Sequence, residues 1–299
     1  MKILILTGGK SNEREVSIRS ADNIERALRS AGFTTTTHDI ADKTFDIKKA
    51  TQSVDVVFPI IHGEGGEDGH IQQELEKHGI HFLGTNAKPS AVAFDKVAFK
   101  ELLAEHGVLT PNWQIVDRQT LRESGLLHNP YVIKPIRGGS SIDTFIVHNP
   151  SRQNLDHFDK AFEKYDKLLL EELIIGQEIT VGVLGETALP VVVIIPPEGE
   201  EFDYENKYNG KTQELVEPDV LAKTVCDEAK QLAEKIHTLA NLDHISRTDI
   251  IVSADGALYV LETNTIPGLT EQSLLPKAAL ASGMSSAQFA KKLVELALQ

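Results

Sequence analysis

The chain has 299 residues, 41% hydrophobic and 25% charged, which is ordinary for a globular protein but long for one core, so two or three domains are expected. Its formal net charge of −14 disfavours nucleic acids and anionic membranes as partners. Cys226 is the only cysteine, which excludes an intrachain disulfide and a thiolate metal cluster. The sequence has neither a membrane-length apolar run nor a signal-peptide pattern, so no membrane span and a cytoplasmic location are expected.

The first part of the chain predicts two buried strands, each followed by a glycine-rich turn. The first strand is the apolar run 2–6, and the helix after its turn is expected to end at Gly32. The second strand, 54–60, leads into the polar and glycine-dense segment 62–69. Open α/β sheets bind ligands at the carboxyl ends of their strands, so these turns are candidate binding sites. The first turn fits neither the dinucleotide-binding nor the P-loop pattern, and the second fails the spacing of a calcium-binding EF-hand loop.

The middle of the chain predicts a helix that carries two lysines and, later, a loop able to bind phosphate. Apolar spacing predicts one helix over residues 90–106, in which Lys96 and Lys100 lie four residues apart. Residues 130–135 predict a strand, and the small-residue loop 136–141 that follows is able to wrap a phosphate with backbone N–H groups.

The later part of the chain predicts further strands and two long helices. The buried strand 168–173 has a polar end suited to hydrogen-bonding an adenine edge. Residues 198–213 predict a mobile polar loop, residues 218–241 a long helix, and Ser285 begins a capping box for the last helix. These elements divide the chain into predicted domains at residues 1–85, 86–175 and 176–299.

A β-hairpin near the carboxyl end carries the strongest chemical signal. Two apolar runs flank the turn Asp255-Gly256, with Asp249 in the first strand. Glu262 and Asn264 share one face of the second strand, because side chains alternate along a strand. Two carboxylates and an amide oxygen are the oxygen ligands that Mg²⁺ prefers, typically together with substrate phosphates. The alternative is a solvated polar face, but the apolar neighbours favour a metal site, since buried carboxylates are rare unless paired or metal-bound.

Five short motifs follow one another along the chain. They are Gly8-Gly9 with Glu13–Ser17, His62–Gly69, Lys134-Pro135 with Gly139–Ser141, Lys207-Tyr208, and Arg247–Asp249 with Glu262–Gly268. Each is weak alone, but in this order the chain resembles, from end to end, the D-alanine–D-alanine ligase family of ATP-grasp enzymes. The resemblance implies a fold of mixed α/β and α+β class with three domains, an open N-terminal α/β domain, and ATP held between the central and C-terminal domains.

The resemblance also implies a reaction. ATP would phosphorylate the carboxylate of one D-alanine, and the amine of a second would attack the acyl phosphate. A tetrahedral intermediate would then expel phosphate, leaving D-alanyl-D-alanine for peptidoglycan precursors. The implied cofactors are ATP as co-substrate and two Mg²⁺ ions, or Mn²⁺, and the implied assembly is a homodimer.

The same resemblance implies roles for individual side chains. The implied metal ligands are Asp249, Glu262 and Asn264. The implied ATP-binding residues are Lys96, Lys134, Ser141, Glu171, Glu178 and Lys207, with Glu171 on the adenine amino group and Glu178 on the ribose. The implied catalytic residues are Glu13, Ser140, Tyr208, Arg247 and Gly268. The implied D-alanine contacts are His62, Ser273 and Leu274.

Within the catalytic set, Arg247 and the N–H of Gly268 would stabilise the tetrahedral oxyanion. Glu13 would bind the ammonium of the first D-alanine and, with Ser140 and Tyr208, would hold the mobile loop over the site. Alternatives exist for three residues of the site. Glu13 could complement a helix dipole, His62 could brace its loop, and Arg247 could be a salt-bridge partner of Asp249.

Two alternative functions remain at this point. One is a related ligase that uses D-lactate or D-serine as its second substrate, although Tyr208 is a feature that lactate-using relatives lack. The other is a nucleotide-binding relative without catalytic activity. A pure binder has no need of an oxyanion-stabilising group, so the presence of Arg247 disfavours it.

Asp143 departs from the family pattern, in which glycine closes the Ser-Ser-x-Gly phosphate loop. Aspartate tolerates the left-handed backbone region, but its charge opposes a triphosphate. At about 8 Å and an effective dielectric of about 20, the repulsion is roughly 2 kcal/mol per unit charge before salt screening. We expect the side chain to point to solvent with a modest penalty, so that Asp143→Gly lowers the KM for ATP several-fold.

Overall fold

The computed structural model describes residues 1–197, 211–217 and 220–299. The helices in these ranges are α1 (Arg14–Ser30), α2 (Ile47–Ala50), α3 (His70–Lys77), α4 (Ala87–Phe94), α5 (Lys96–Glu105), α6 (Asp159–Lys164), α7 (Lys223–Leu239), α8 (Leu274–Ala281) and α9 (Ser286–Ala297). The strands are β1 (Lys2–Thr7), β2 (Thr34–Asp39), β3 (Val56–Pro59), β4 (Trp113–Val116), β5 (Tyr131–Pro135), β6 (Phe145–Val147), β7 (Leu168–Glu172), β8 (Gly176–Leu184), β9 (Thr187–Ala188), β10 (Val192–Ile195), β11 (Gln213–Val216), β12 (Ile245–Ser253) and β13 (Leu258–Asn264).

The first sheet is parallel, with the order β2-β1-β3. The central strand β1 is buried on both faces, which explains its continuous apolar run. Helix α1 ends as predicted near Gly32, which has a φ of +90°. The N–H groups of Gly32 and Phe33 donate to the carbonyls of Arg29 and Leu28, so the end is a Schellman motif with glycine in the left-handed position. The threonine-rich edge strand β2 was not predicted.

Two further sheets lie later in the chain. The strands β4-β7-β5-β6 form an antiparallel sheet, and β11-β10-β8-β12-β13 form a second one, with β9 paired to β8. Helices α8 and α9 return to the first part of the molecule, where Phe289 and Leu293 share a core with Ile24 of α1. Helix α5 packs on the C-terminal sheet, since Phe99 lies in one core with Ile179. The domain boundaries at residues 85 and 175 stay predictions.

The prediction of a single helix over residues 90–106 is wrong, because the chain forms two helices, α4 and α5, with Asp95 between them. Asp95 has extended backbone angles, and its Oδ1 accepts hydrogen bonds from the N–H groups of Val97 and Ala98, both at 3.1 Å. An aspartate that caps a helix competes with helix continuation, and this competition breaks the apolar pattern. The break makes Lys96 the first residue of α5, and its N–H donates to the carbonyl of Ile136 at 3.0 Å.

Other predicted elements are present with shifted bounds. The helix predicted over 218–241 is α7, which begins only at Lys223. The predicted capping box of the last helix is confirmed, because Ser285 Oγ accepts from the Gln288 N–H at 3.3 Å and Gln288 Oε1 accepts from the Ser285 N–H at 2.8 Å. Most of the loop predicted over 198–213 lies outside the described residues. In the described part of the chain, no helix has the length and apolarity needed to cross a membrane.

Because of His237, we expect the folded protein to lose stability at acidic pH. His237 is buried in α7 with Nδ1 2.7 Å from Ser246 Oγ, and burial lowers its pKa from 6.5 to about 4, with His244 adding to the effect and Asp243 opposing it. As pH falls, His237 therefore becomes protonated near pH 6.5 in the unfolded chain but only near pH 4 in the folded chain. Between these values the free energy of unfolding should fall as pH falls, by roughly 2–3 kcal/mol. Urea unfolding at pH 7 and 4.5 measures this loss, and His237→Gln should reduce it; an unchanged pH dependence would contradict the assignment.

Candidate active site

Two adjoining cavities hold the predicted site residues, and Glu262 lines both of them. The larger has a volume of about 420 Å³ and the smaller about 100 Å³. The larger is lined by the predicted ATP-binding and metal residues Lys96, Lys134, Ser141, Glu171, Glu178 and Asp249. The smaller is lined by Glu13, His62, Ser140, Arg247, Asn264, Gly268, Ser273 and Leu274. Lys207 and Tyr208 lie outside the described residues, so the structure says nothing about their place.

The predicted hairpin forms from β12 and β13, and its register places Asp249 directly opposite Glu262 and Arg247 opposite Asn264. Asp249 is buried, and Arg247 grips it with two hydrogen bonds, Nε to Oδ1 at 3.0 Å and Nη2 to Oδ2 at 2.8 Å. Thr180, opposite Asp249 on the other neighbouring strand β8, donates its hydroxyl to Oδ1 at 2.5 Å. The alternative role of Arg247 as a salt-bridge partner is therefore real, while its action on an oxyanion stays a prediction.

The hairpin residues suit a metal that is shared with a phosphate. In the described ranges, no group of three or more His, Cys, Asp and Glu side chains could enclose a metal alone. Asp249 and Glu262 supply two carboxylates on adjoining strands, and Asn264 supplies an amide oxygen that already accepts from the N–H of Ile266 at 2.9 Å. Such a set leaves coordination positions for phosphate oxygens and water, which is how Mg²⁺ is usually held. The donor set therefore fits Mg²⁺.

Lysines gather around the wall of the larger cavity. Lys96 Nζ lies 3.4 Å from Glu262 Oε2, and Lys134 Nζ lies 2.8 Å from Glu171 Oε2. Lys100 Nζ lies 3.0 Å from the other oxygen of Glu171. Lys134, Glu171 and Lys100 thus form a cluster, and all three side chains are buried. Burial is the largest single influence and by itself would lower the pKa of Lys134 and raise that of Glu171. The attraction of Lys134 to Glu171 and Glu262, and of Glu171 to both lysines, together outweighs burial, so the pKa of Lys134 is raised and that of Glu171 lowered. The cluster is therefore ionised, and the Glu171 carboxylate faces lysines on both sides.

The small-residue loop after β5 is held in an unusual backbone conformation. Ser140 and Ser141 have φ values of 52° and 55°, and Gly138 has a φ of 134°. Lys96 Nζ donates to the carbonyl of Gly138 at 2.6 Å, and the Ser140 hydroxyl donates to Glu13. A loop that turns through the left-handed region directs successive N–H groups to one side, the arrangement that binds anions.

Glu13 and His62 enter the smaller cavity from the N-terminal sheet. Glu13 is buried at the N-cap of α1, which is consistent with the dipole alternative and also places its carboxylate beside Ser140. The His62 ring is occupied on both sides, with Nδ1 3.0 Å from the carbonyl of Ile266 and Nε2 3.0 Å from Ser20 Oγ. A carbonyl can only accept, so Nδ1 carries the proton in the neutral ring. His62 thus braces the loop after β13, which favours that alternative for it.

The start of α8 forms the far wall of the smaller cavity. Ser273 is its N-cap residue, but the Ser273 hydroxyl accepts from the N–H of Thr270 at 3.0 Å instead of capping the helix. The first N–H groups of α8 therefore keep their capacity for an anion, and a helix N-terminus favours a carboxylate. Gly268 approaches closely, since a Cβ there would lie 2.7 Å from Ser273 Oγ.

Comparison with known proteins identifies the family. The models described as D-ala D-ala ligase C-terminus and D-ala D-ala ligase N-terminus match residues 102–295 and 35–85. D-alanine–D-alanine ligases from Methylacidiphilum infernorum and Nitratidesulfovibrio vulgaris strain DP4 are 40% and 38% identical, over 98% and 100% of this chain and 94% and 98% of theirs. The chain belongs to the D-alanine–D-alanine ligase family.

Solved structures agree with this family assignment. The crystal structure of the ligase from Bacillus anthracis has a TM-score of 0.87 at 30% identity, covering 100% of this chain and 97% of that one. The same enzyme complexed with ATP has a TM-score of 0.85 at 29% identity, with the same coverage. The mixed α/β, ATP-grasp fold predicted from the sequence is confirmed.

Asp143, the residue that departs from the family pattern, does not point freely into solvent. Its carboxylate accepts from Tyr165 Oη at 2.7 Å and pairs with Lys164 of α6. These hydrogen bonds, first that of Lys164, lower the pKa of Asp143. Ile142 and Thr144 line the larger cavity, whereas Asp143 is not among its lining residues. The charge that we expected to repel a triphosphate is therefore compensated by Lys164, and the contact ties the loop to α6.

This contact reverses the expected effect of Asp143→Gly. Loss of a half-exposed ion pair and one hydrogen bond should loosen the loop and raise the KM for ATP about two- to fivefold, the equivalent of about 0.5–1 kcal/mol. The KM for D-alanine should stay unchanged at saturating ATP. Initial rates of phosphate release measure both constants. Tyr165→Phe, which keeps the ion pair, is the matched control and should have the smaller effect. A lower KM for ATP in Asp143→Gly would contradict this expectation and support the charge repulsion that the sequence predicted.

Sequence reasoning assigned no role at the site to two of its residues, Thr180 and Lys100. Thr180 reaches Asp249 only because β8 and β12 are neighbours, and no local pattern reveals that pairing. A buried role for Lys100 could have been predicted, because it lies on the apolar face of its helix, between Phe99 and Leu103. A lysine at such a position is rarely buried without a partner, so it signals a buried acid nearby.

Proposed function

We propose that this protein is an ATP-dependent ligase that joins two D-alanines into D-alanyl-D-alanine, with release of ADP and phosphate, for peptidoglycan precursors. The observation that carries the proposal is the meeting of two cavities at Glu262, one lined by lysines and one closed by a helix N-terminus. This arrangement suits a reaction that transfers a phosphoryl group from one ligand to the carboxylate of another. Full-length relatives at 38–40% identity carry the name of this activity.

The larger cavity is the proposed ATP site. Its volume of about 420 Å³ falls within the usual range for small-molecule pockets. Lys96 and Lys134 bring local positive charge that a chain of net charge −14 otherwise lacks. Together with the N–H groups of the loop at Ser141 they would bind the phosphates, while Glu171 and Glu178 would serve the adenine and ribose. The B. anthracis neighbour complexed with ATP supports a nucleotide site in this fold.

The smaller cavity is the proposed site of the two D-alanines. Glu13 would bind the ammonium of the first, which holds its carboxylate next to the phosphates. The N-terminus of α8, at Ser273 and Leu274, would bind the carboxylate of the second. Its amine then faces the activated carbonyl, so that positioning supplies much of the rate. Arg247 and the N–H of Gly268 would stabilise the oxyanion that forms as the amine attacks.

Asp249, Glu262 and Asn264 would hold Mg²⁺, or Mn²⁺ in its place, with two ions in all. When bound, the metal neutralises phosphate charge during transfer. Ser140, held by Glu13, would join with Tyr208 and Lys207 to close the site and exclude water from the acyl phosphate. The three predicted domains, a homodimer and a cytoplasmic location complete the proposal and rest on the family resemblance.

A phosphate-release assay with ATP, Mg²⁺ and single amino acids tests the function. We expect turnover with D-alanine, none with L-alanine, and a product whose mass is that of D-alanyl-D-alanine. A mixture of D-alanine with D-lactate or D-serine should give the D-alanine dipeptide as the main product. A main product containing D-lactate or D-serine would assign the chain to a related ligase. Nucleotide binding without phosphate release for any substrate would identify a non-catalytic relative.

A further inference from the structure

Lys100 is the one lysine of the cluster around Glu171 that does not line either cavity described above. Its side chain is 0% exposed, and its Nζ lies 3.0 Å from Glu171 Oε1 and donates to Thr110 Oγ1 at 2.5 Å. A fully buried lysine is rare and costs folding free energy unless an acid compensates its charge. No step of the proposed reaction uses Lys100, so its presence requires another explanation.

The geometry of the cluster provides one. Glu171 lies between two ammonium groups, with Lys134 on the cavity side at 2.8 Å and Lys100 on the interior side at 3.0 Å. If Lys134 were its only partner, the two opposite charges would cancel and the pair would offer little attraction to a phosphate. Lys100 balances the carboxylate from behind, and the three groups together carry a net charge of +1. The rest of the cavity wall includes the acids Glu172, Glu178, Asp249 and Glu262.

We propose that Lys100 is a positioning residue of the nucleotide site. It binds the Glu171 carboxylate from the interior side and so leaves the charge of Lys134 available to a nucleoside triphosphate. The proposal rests on the larger cavity being the ATP site. Burial lowers the pKa of Lys100 to about 8, and Glu171 and Glu262 oppose this lowering while Lys134 adds to it. Lys100 is thus charged at neutral pH.

A purely structural role is the competing explanation. Thr110 Oγ1 accepts from Lys100 and donates to the carbonyl of Val260 at 2.8 Å, so this chain of contacts joins α5 to β13. If Lys100 served only that connection, removing either Lys100 or Thr110 should have the same consequence. If Lys100 balances the charge of Glu171, only the loss of Lys100 should affect nucleotide binding. Thr110→Val is therefore a matched control, because it removes the connection and keeps the charge.

Calorimetric titration with ATP and with ADP, in the full chain with Mg²⁺, tests the proposal. Lys100→Met, of similar size, should weaken ATP binding at least about tenfold, which is about 1.4 kcal/mol. The KM for D-alanine at saturating ATP should change by less than about twofold, and Thr110→Val should bind ATP within about twofold of the wild type. Equal weakening by Thr110→Val and Lys100→Met, or unchanged binding by Lys100→Met, would overturn the proposal.

A second variant, Lys100→Gln, keeps the proposal testable if Lys100→Met fails to fold. Glutamine removes the charge but keeps a hydrogen-bonding group for Glu171 and Thr110, so it should disturb the fold less. If Lys100 balances the charge of Glu171, Lys100→Gln should also bind ATP at least about tenfold more weakly than the wild type. Binding closer to that of the wild type contradicts the charge-balancing role. Failure of the wild type itself to bind ATP would refute the proposed function, a separate result.

Discussion

Replacing Glu262 with alanine is expected to reduce turnover at least 100-fold, about 2.7 kcal/mol of barrier, while the protein stays folded. Glu262 lines both cavities, and its carboxylate lies 3.4 Å from Lys96 and directly across the hairpin from Asp249. It is the proposed hard ligand at the point where phosphate and carboxylate would meet, so its loss should weaken charge neutralisation during transfer. The side chain is 31% exposed, so truncation leaves a solvated gap instead of a buried cavity.

Phosphate release at saturating Mg²⁺ measures this effect, and circular dichroism with a thermal melt checks the fold. Asp249→Ala should be equally inactive but less stable, because it removes the buried carboxylate that accepts hydrogen bonds from Arg247 and Thr180. The comparison separates the proposed metal contribution from the structural one. Turnover of Glu262→Ala within about tenfold of the wild type would remove Glu262 from the proposed metal site.

Local chemistry explains why the hairpin and the first buried strand could be predicted, whereas the fold class was predicted from the family resemblance. The turn Asp255-Gly256 and the alternating pattern beside it specify β12 and β13 without help from distant residues. The register is less predictable, because the pairs nearest the turn, such as Ile250 with Val260, would continue to Asp249 opposite Leu261. An irregularity between Asp249 and Ile250 shifts the pairing by one residue and places Asp249 opposite Glu262. The continuous apolar run of β1, in contrast, required a strand covered on both faces.

Long-range pairing explains what could not be predicted. Asp95 looked like one polar residue within a helix, yet its side chain caps α5 and its second oxygen accepts from Arg137 at 2.9 Å. The contact with Arg137 joins residues 42 positions apart, and no periodicity within the helix reveals it. Asp143 gives the same lesson, because its partners Lys164 and Tyr165 decide whether its charge opposes a nucleotide. The sequence analysis singled out Asp143 without its partners, and it did not single out Asp95 at all.

Replacing Arg247 with lysine should lower kcat about 100- to 1,000-fold, the usual loss for a removed oxyanion donor. The guanidinium lines the smaller cavity and meets Asp249 through two parallel hydrogen bonds. A lysine keeps the positive charge but cannot reproduce this planar fork, so it would neither hold the Asp249 carboxylate in place nor present a fixed donor to the reacting carbonyl. The KM for ATP should change much less than kcat, because Lys96 and Lys134 remain.

Arg247→Met separates the two contributions of the guanidinium. It also removes the positive charge, so the buried Asp249 loses both hydrogen bonds from Arg247 and keeps the one from the Thr180 hydroxyl. Arg247 is 15% exposed and water can reach part of the pair, so we expect a stability loss at or below the lower end of the roughly 3–5 kcal/mol range for a broken buried pair. Arg247→Lys should stay close to wild-type stability. If Arg247→Lys turns over within about tenfold of the wild type while Arg247→Met unfolds, the guanidinium serves Asp249 alone and the oxyanion role is wrong.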